Sequence, residues 1–195
     1  MARTGTRNSK RDDLLDAAVS LLLAEGVHAC TVRAVAARAG VANGSVHYYF
    51  RDIEEILDLA MERATDVWIS WLTGIAEQAP SPQRAFWAVM KACREPFAAG
   101  DRSILPLWLE YWAACMRAGR TGPIATLHQR LVALVAELLV AAGLDTATAL
   151  EKARAINAYL FGIAMHDAAG LTPLGTVLRH LGALSGLDPP SPAAV

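Results

Sequence analysis

Residues 36–50, AARAGVANGSVHYYF, set two glycines, an asparagine, a serine, a histidine and two tyrosines directly behind an alanine-rich run. These side chains are short or rigid: an amide and a hydroxyl that donate and accept, an imidazole that does either, and phenols on apolar rings. Such a set suits a partner with a fixed pattern of donors and acceptors, as base edges in a DNA major groove have, while hydroxyls and basic groups hold phosphates. Asn43, Ser45 and His47 are the candidates for base edges, with Tyr48 and Tyr49 beside them. Thr31 and Arg33 stand at the start of the preceding helical run, where the helix N-terminus adds a field that favours phosphate. Arg51 follows the aromatic pair, and Arg3, Arg7, Lys10 and Arg11 make the N-terminal run basic.

A second concentration is aromatic. All five tryptophans, Trp68, Trp71, Trp87, Trp108 and Trp112, fall between residues 68 and 112, and Tyr111 lies among them. At helical spacing they form stripes on at least two helices, which makes them candidate walls of a small-molecule pocket as well as core. Glu110 invites a cationic ligand held by ring faces, but it lies about 160° from Trp108 and Trp112 around the helix. A carboxylate for such a ligand would have to come from another helix, and a neutral apolar or aromatic ligand fits equally well.

Catalytic patterns are missing. There is no H-E-x-x-H, no G-x-S-x-G and no phosphate-binding glycine run, and His166 and Asp167 are adjacent, so they diverge on a helix. Cys30, Cys93 and Cys115 show neither C-x-x-C spacing nor an even count, which speaks against a disulfide framework or a zinc site. The expectation is a protein that is not an enzyme and carries no metal or cofactor.

The elements that position these groups follow a 3.6-residue period throughout, so the expected class is all-α with nine helices. The first runs about four turns, with Ser9 and Asp12 spaced as a capping box and Gly26 as its stop. Thr31 caps a second short helix ended by Gly40, and a third covers about 43–49. The spacing Ala36, Gly40, Val46 has a mechanical reason in a helix-turn-helix: a small residue at the crossing, a glycine in the left-handed turn, and a branched plug beneath the second helix. Val32, Val35 and Val41 complete its underside. A long helix follows over about 52–77. The prolines at 82, 123 and 173 open helices near 82–98, 123–142 and 173–185, and two more cover about 105–118 and 145–169.

Charge divides the chain. Residues 1–51 hold seven Lys/Arg against four acids, whereas the rest is net negative, so the expected domains are a polyanion-facing module over 1–51 and a helical body over 52–195. The polar, basic start MARTGTRNSKRDD is no signal peptide, and the apolar run 131–144 carries Glu137, so it reads as a buried helix. A cytoplasmic protein with no membrane partner is expected. Ala153, Ile156, Leu160 and Ile163 on one face, with Phe161 and Ala164 on another, predict a helix buried on two sides. Leu174, Val177, Leu178, Leu181 and Leu184 supply a matching stripe, and together they predict a homodimer through the last two helices. His166, His180 and Asn157 read as satisfied core or interface groups.

The run LLDAAVSLLLAEGVHACTVRAVAARAGVANGSVHYYFRDIEEIL, residues 14–57, resembles the TetR family of bacterial transcriptional regulators. The body, around PLWLEYWAACMRAGRTGPIATLHQRLVALVAELL, is weakly similar to the BetI-like subgroup. The resemblance implies a repressor that binds palindromic operator DNA as a dimer and is released by a small-molecule effector. By the same resemblance Thr31 and Arg33 touch phosphates, Asn43, Ser45 and His47 lie in the groove, and Tyr48 and Tyr49 hold the backbone and brace the helix. An activator or a ligand-independent regulator of the same fold is the alternative, and a protein–protein adaptor the competing class. Two departures stand out. Ala42 occupies a position where many relatives have a capping Ser or Thr, leaving Asn43 to cap or to read a base. Ile53 stands where relatives often carry a phosphate-binding Lys, which shifts that role to Arg51.

Overall fold

The computed structural model describes residues 3–98, 104–168 and 173–189. Among these, nine α-helices and one 3-10 turn are found and no strand: α1 Arg3–Glu25, the 3-10 turn Val27–Ala29, α2 Val32–Arg38, α3 Asn43–Val46, α4 Ile53–Glu77, α5 Pro82–Ala98, α6 Ile104–Arg117, α7 Gly122–Ala141, α8 Thr146–Ala168 and α9 Leu174–Ser185. The chain is all-α, as its periodicity requires. The side chains of Arg3, Arg7, Ala164 and Asp167, on which expectations rest, lie outside the described residues.

Three boundaries differ from expectation. The α1 helix does not begin at Ser9 but runs back to Arg3, so Ser9 is helical and its capping box with Asp12 is not formed. A capping box replaces missing intrahelical partners, and once the helix continues upstream those amides already have them. The α3 helix ends at Val46 and His47 is its C-cap, with 47–49 in a turn. Pro173 occupies the N-cap of α9 rather than its first turn.

The packing resolves into two compact units. The first holds residues 3–67 and 104–124, thus α1 to α3, the first part of α4, and α6. Its core is Leu14, Ala18, Leu21, Leu22, Val35, Ala36, Val46, Phe50, Ile56 and Cys115, each nearly inaccessible. Polar contacts lie over that core: Arg38 pairs with Glu25 at 2.7 Å and donates to the Ser20 hydroxyl at 2.8 Å, tying α2 to α1, and Arg63 of α4 pairs with Asp16 at 3.1 Å. The second unit holds residues 68–98, 125–168 and 173–189. There α8 packs on both α5 and α9, burying Phe86, Val89, Met90, Ala153, Ile156, Leu160, Val177 and Leu181.

The stretch 124–141 in α7 is long and apolar enough to cross a membrane by length and composition. It buries Leu131, Leu134, Val135, Leu138 and Leu139 while Val140 remains 41% exposed, so it is buried along one side only. All three cysteines are free and buried, and burial raises the thiols of Cys30 and Cys93 to about 11 and about 12, far from thiolate chemistry.

Candidate nucleic-acid interface

The polar stretch 43–49 is held up from beneath. Val35 and Ala36 of α2 and Val46 of α3 are buried, Val32 and Val41 half-buried, and Gly40 turns the chain at φ +67°. Only a residue without a Cβ enters that region at little cost, so the A-x3-G-x5-V reading holds in the fold. The opposite side is left open. Asn43 and His47 are exposed, Tyr48 is 64% exposed, and Ser45 and Tyr49 are half-buried. Tyr48 and Tyr49 meet edge to face, with ring centroids 5.1 Å apart. Phe50 is buried, and the Arg11 guanidinium lies 5.0 Å over its ring.

The cap of α3 falls to Ala42, in extended conformation with no side-chain acceptor, while Asn43 is already the first helical residue. Asn43 therefore does not cap the helix, which leaves its amide on the exposed face. Thr31 does cap α2: its hydroxyl accepts from the Ala34 N–H at 3.2 Å. Arg33 is exposed in the first turn of that helix.

Arg51 is engaged locally. Its backbone N–H and its Nε both donate to Glu55 Oε2, at 2.9 and 3.2 Å. The backbone bond and then the guanidinium hold the Glu55 carboxyl below its ordinary range. Asp52 in turn accepts from the Glu55 N–H at 2.8 Å, forming an N-terminal cap on α4. The D-x-x-E pattern of 52–55 signals this cap in the sequence, and the expectation of Arg51 as a phosphate contact overlooked it.

A third group, unforeseen, pins α6 within the first unit. Glu110 Oε2 accepts from the Val27 N–H at 2.9 Å, at the start of the 3-10 turn that leads into α2. The Glu110 carboxylate is thus spent on the backbone, not poised beside the tryptophans. Further along α6, Tyr111 donates to Asp58 Oδ1 of α4 at 2.9 Å. One Arg120 nitrogen reaches both oxygens of the same carboxylate at 2.7 Å. Burial first, and then the Asp58 carboxylate, raises the Tyr111 hydroxyl well above its ordinary value. Tyr111 is therefore a structural hydroxyl before it is a pocket wall.

The aromatic candidates divide between the units. Trp108, Tyr111 and Trp112 belong to the first, where Trp108 and Tyr111 are buried and Trp112 is half-buried. Trp68, Trp71 and Trp87 belong to the second; Trp68 and Trp87 are buried, whereas Trp71 is 45% exposed. Trp87 also lines a cavity of the second unit. Among the described residues no cluster of three or more His, Cys, Asp or Glu is placed to hold a metal ion.

Residues 14–60 match the family model of the bacterial regulatory proteins of the tetR family, and this span covers α2, α3 and their supports. Along the whole length, the chain is 27% identical over 182 residues to the HTH-type transcriptional regulator BetI of Burkholderia mallei (strain NCTC 10229), covering 90% of each. These matches support a TetR-family regulator. The fold agrees: SCO7518 from Streptomyces coelicolor A3(2) superposes with a TM-score of 0.74 at 23% identity, covering 91% of this chain and 98% of that one. The multidrug binding protein EbrR, solved with ethidium, does so at 0.70 and 24%, covering 93% and 99%.

Proposed function

We propose that this regulator is a cytoplasmic repressor that binds a palindromic operator as a homodimer and is released by a small-molecule effector. The observation that carries the DNA reading is the exposed row of Asn43, His47 and Tyr48 above the buried Val35, Ala36 and Val46. Asn43, Ser45 and His47 read base edges. Thr31, Arg33, Tyr48, Tyr49 and the free edge of Arg51 hold phosphates. The DNA-reading domain is residues 1–51, and residues 52–195 carry effector binding and dimerisation, with Trp68, Trp71, Trp87, Trp108, Tyr111 and Trp112 as candidate effector contacts. EbrR, named for drug binding and solved with ethidium, supports a ligand response here by analogy of fold.

Release follows from linkage: an effector that prefers a conformation unable to span both half-sites weakens DNA binding by the same factor as DNA weakens the effector. The test starts from operator fragments selected from random duplexes by the purified protein. Arg33→Ala should weaken selected and random duplexes alike and flatten the salt slope by about one, whereas His47→Ala should narrow the gap between them by about 1–3 kcal/mol. Equal losses on both DNAs for both variants would remove His47 from the reading set.

A further inference from the structure

Gly44, the second residue of α3, has no cause within the fold. It holds no positive φ, and among the described residues a Cβ built on it would meet nothing within 4 Å. Glycine is less favourable than alanine in a helix, so neither the backbone nor the packing accounts for its presence. It lies about 160° around α3 from Val46, the residue buried beneath, and therefore at the centre of the exposed face. A bare backbone at that centre lets a surface outside the chain come close.

Exposed Asn43 and His47 stand on one flank of that centre and half-buried Ser45 on the other. Of the three, only the Asn43 amide presents a donor and an acceptor side by side in one plane; a hydroxyl rotates to suit either partner, and an imidazole points its two nitrogens apart. Ala42 is the N-cap and Asn43 is already helical, so the amide is not spent on the helix end, and among the described residues it has no hydrogen-bond partner. In the major groove adenine is the base that sets a donor, its N6 amino group, beside an acceptor, N7. An asparagine side chain is short, so pairing with both atoms requires the α3 backbone to lie deep in the groove. We propose, on the basis of the DNA reading above, that each operator half-site carries an adenine held through N6 and N7 by the Asn43 amide, at a depth that bare Gly44 permits.

Selection from a random-sequence duplex pool by the purified full chain, in parallel with Asn43→Ala, tests the assignment. The parent should enrich a motif with an adenine at one half-site position that Asn43→Ala no longer distinguishes, while the other positions are kept. Within that motif, 7-deazaadenine, which lacks the N7 acceptor, and unsubstituted purine, which lacks the N6 amino group, should each lower parent affinity by about tenfold and leave Asn43→Ala unaffected. These modified bases probe the parent itself and need no variant to fold. Gly44→Ala should hold or raise Tm and yet weaken the selected duplex by about tenfold or more, because the added methyl group keeps the pair from forming. A motif in which Asn43→Ala alters a position other than adenine, or none, overturns the proposal and leaves the DNA reading standing. Parent binding indifferent to both modified bases, or to Gly44→Ala, does the same. No enriched motif at all from the folded parent overturns the DNA reading and the proposal with it.

Discussion

Gly26 and Gly40 both hold positive φ, at +85° and +67°, yet they do different work. A Cβ on Gly40 would meet nothing within 4 Å, whereas one on Gly26 would lie 2.9 Å from Glu110 Oε2, the oxygen that accepts from Val27. Gly40→Ala should therefore cost only the left-handed backbone penalty, about 1–2 kcal/mol. Gly26→Ala should cost more, by roughly a further 1 kcal/mol, because the carboxylate must move and the Val27 N–H loses its acceptor. Urea midpoints at constant m would show this, and in a Glu110→Ala background the two glycine substitutions should cost alike. Sequence reading found both glycines as helix stops and could not tell them apart. The difference depends on a residue 84 positions away from Gly26, which no local spacing reports. The same holds for Asp58, Tyr111 and Arg120, joined across 53 and 62 residues. By contrast, the roles of Thr31, Ala36 and Val46 are set by neighbours within a few positions, and these were legible.

At the level of elements, α3 is the weakest part of the reading head. It is four residues long and its N-cap is Ala42, extended at φ −66° and ψ 142° with nothing to offer the free amides. Ala42→Ser supplies an acceptor in a backbone already suited to capping, so it should raise stability by about 0.5–1 kcal/mol, read as a higher urea midpoint. Helix ends were legible to within about a residue where a proline or a left-handed glycine fixes them, and failed at Ser9, where the helix runs through a good capping sequence, and at 47–49, which form a turn beyond α3. The α7–α8 pair offers a pH test. His128 of α7 meets Asn157 of α8 at 2.9 Å, and burial holds its imidazole below the ordinary histidine value, with the Asn157 contact opposing. As pH falls through about 6.5, the unfolded chain takes up a proton there that the folded chain resists, so stability declines on the acid side. Between pH 7.5 and 5, Tm should fall less steeply in His128→Gln than in the parent, and identical slopes would exclude this histidine as the cause.

For the whole molecule the open question is how a face of the second unit is covered. Along α8, Glu151, Arg154, Ala155, Ala158 and Gly162 are all exposed and recur at three- and four-residue spacing, forming one stripe whose centre is small. On α9, Leu174 is 38% exposed and Leu178 half-buried, beside exposed Gly175 and Ala183. The opposite sides of both helices are already used: Ala153, Ile156 and Leu160 pack inward, as do Val177 and Leu181. Lys152 closes the pair by donating to the Leu184 carbonyl at 2.9 Å. Small side chains let helices of two copies approach closely, and a symmetric interface places the same stripe on both partners, so one substitution acts twice. Ala158→Arg should therefore shift the chain from dimer to monomer in sedimentation velocity while leaving helix content and the intrachain core unchanged. Operator affinity should then fall by far more than any single base contact accounts for, because each half-site is bound without the effective concentration its neighbour provides. A variant that remains dimeric and binds operator as the parent does would place the interface elsewhere, and the two-helix account of dimerisation would be wrong.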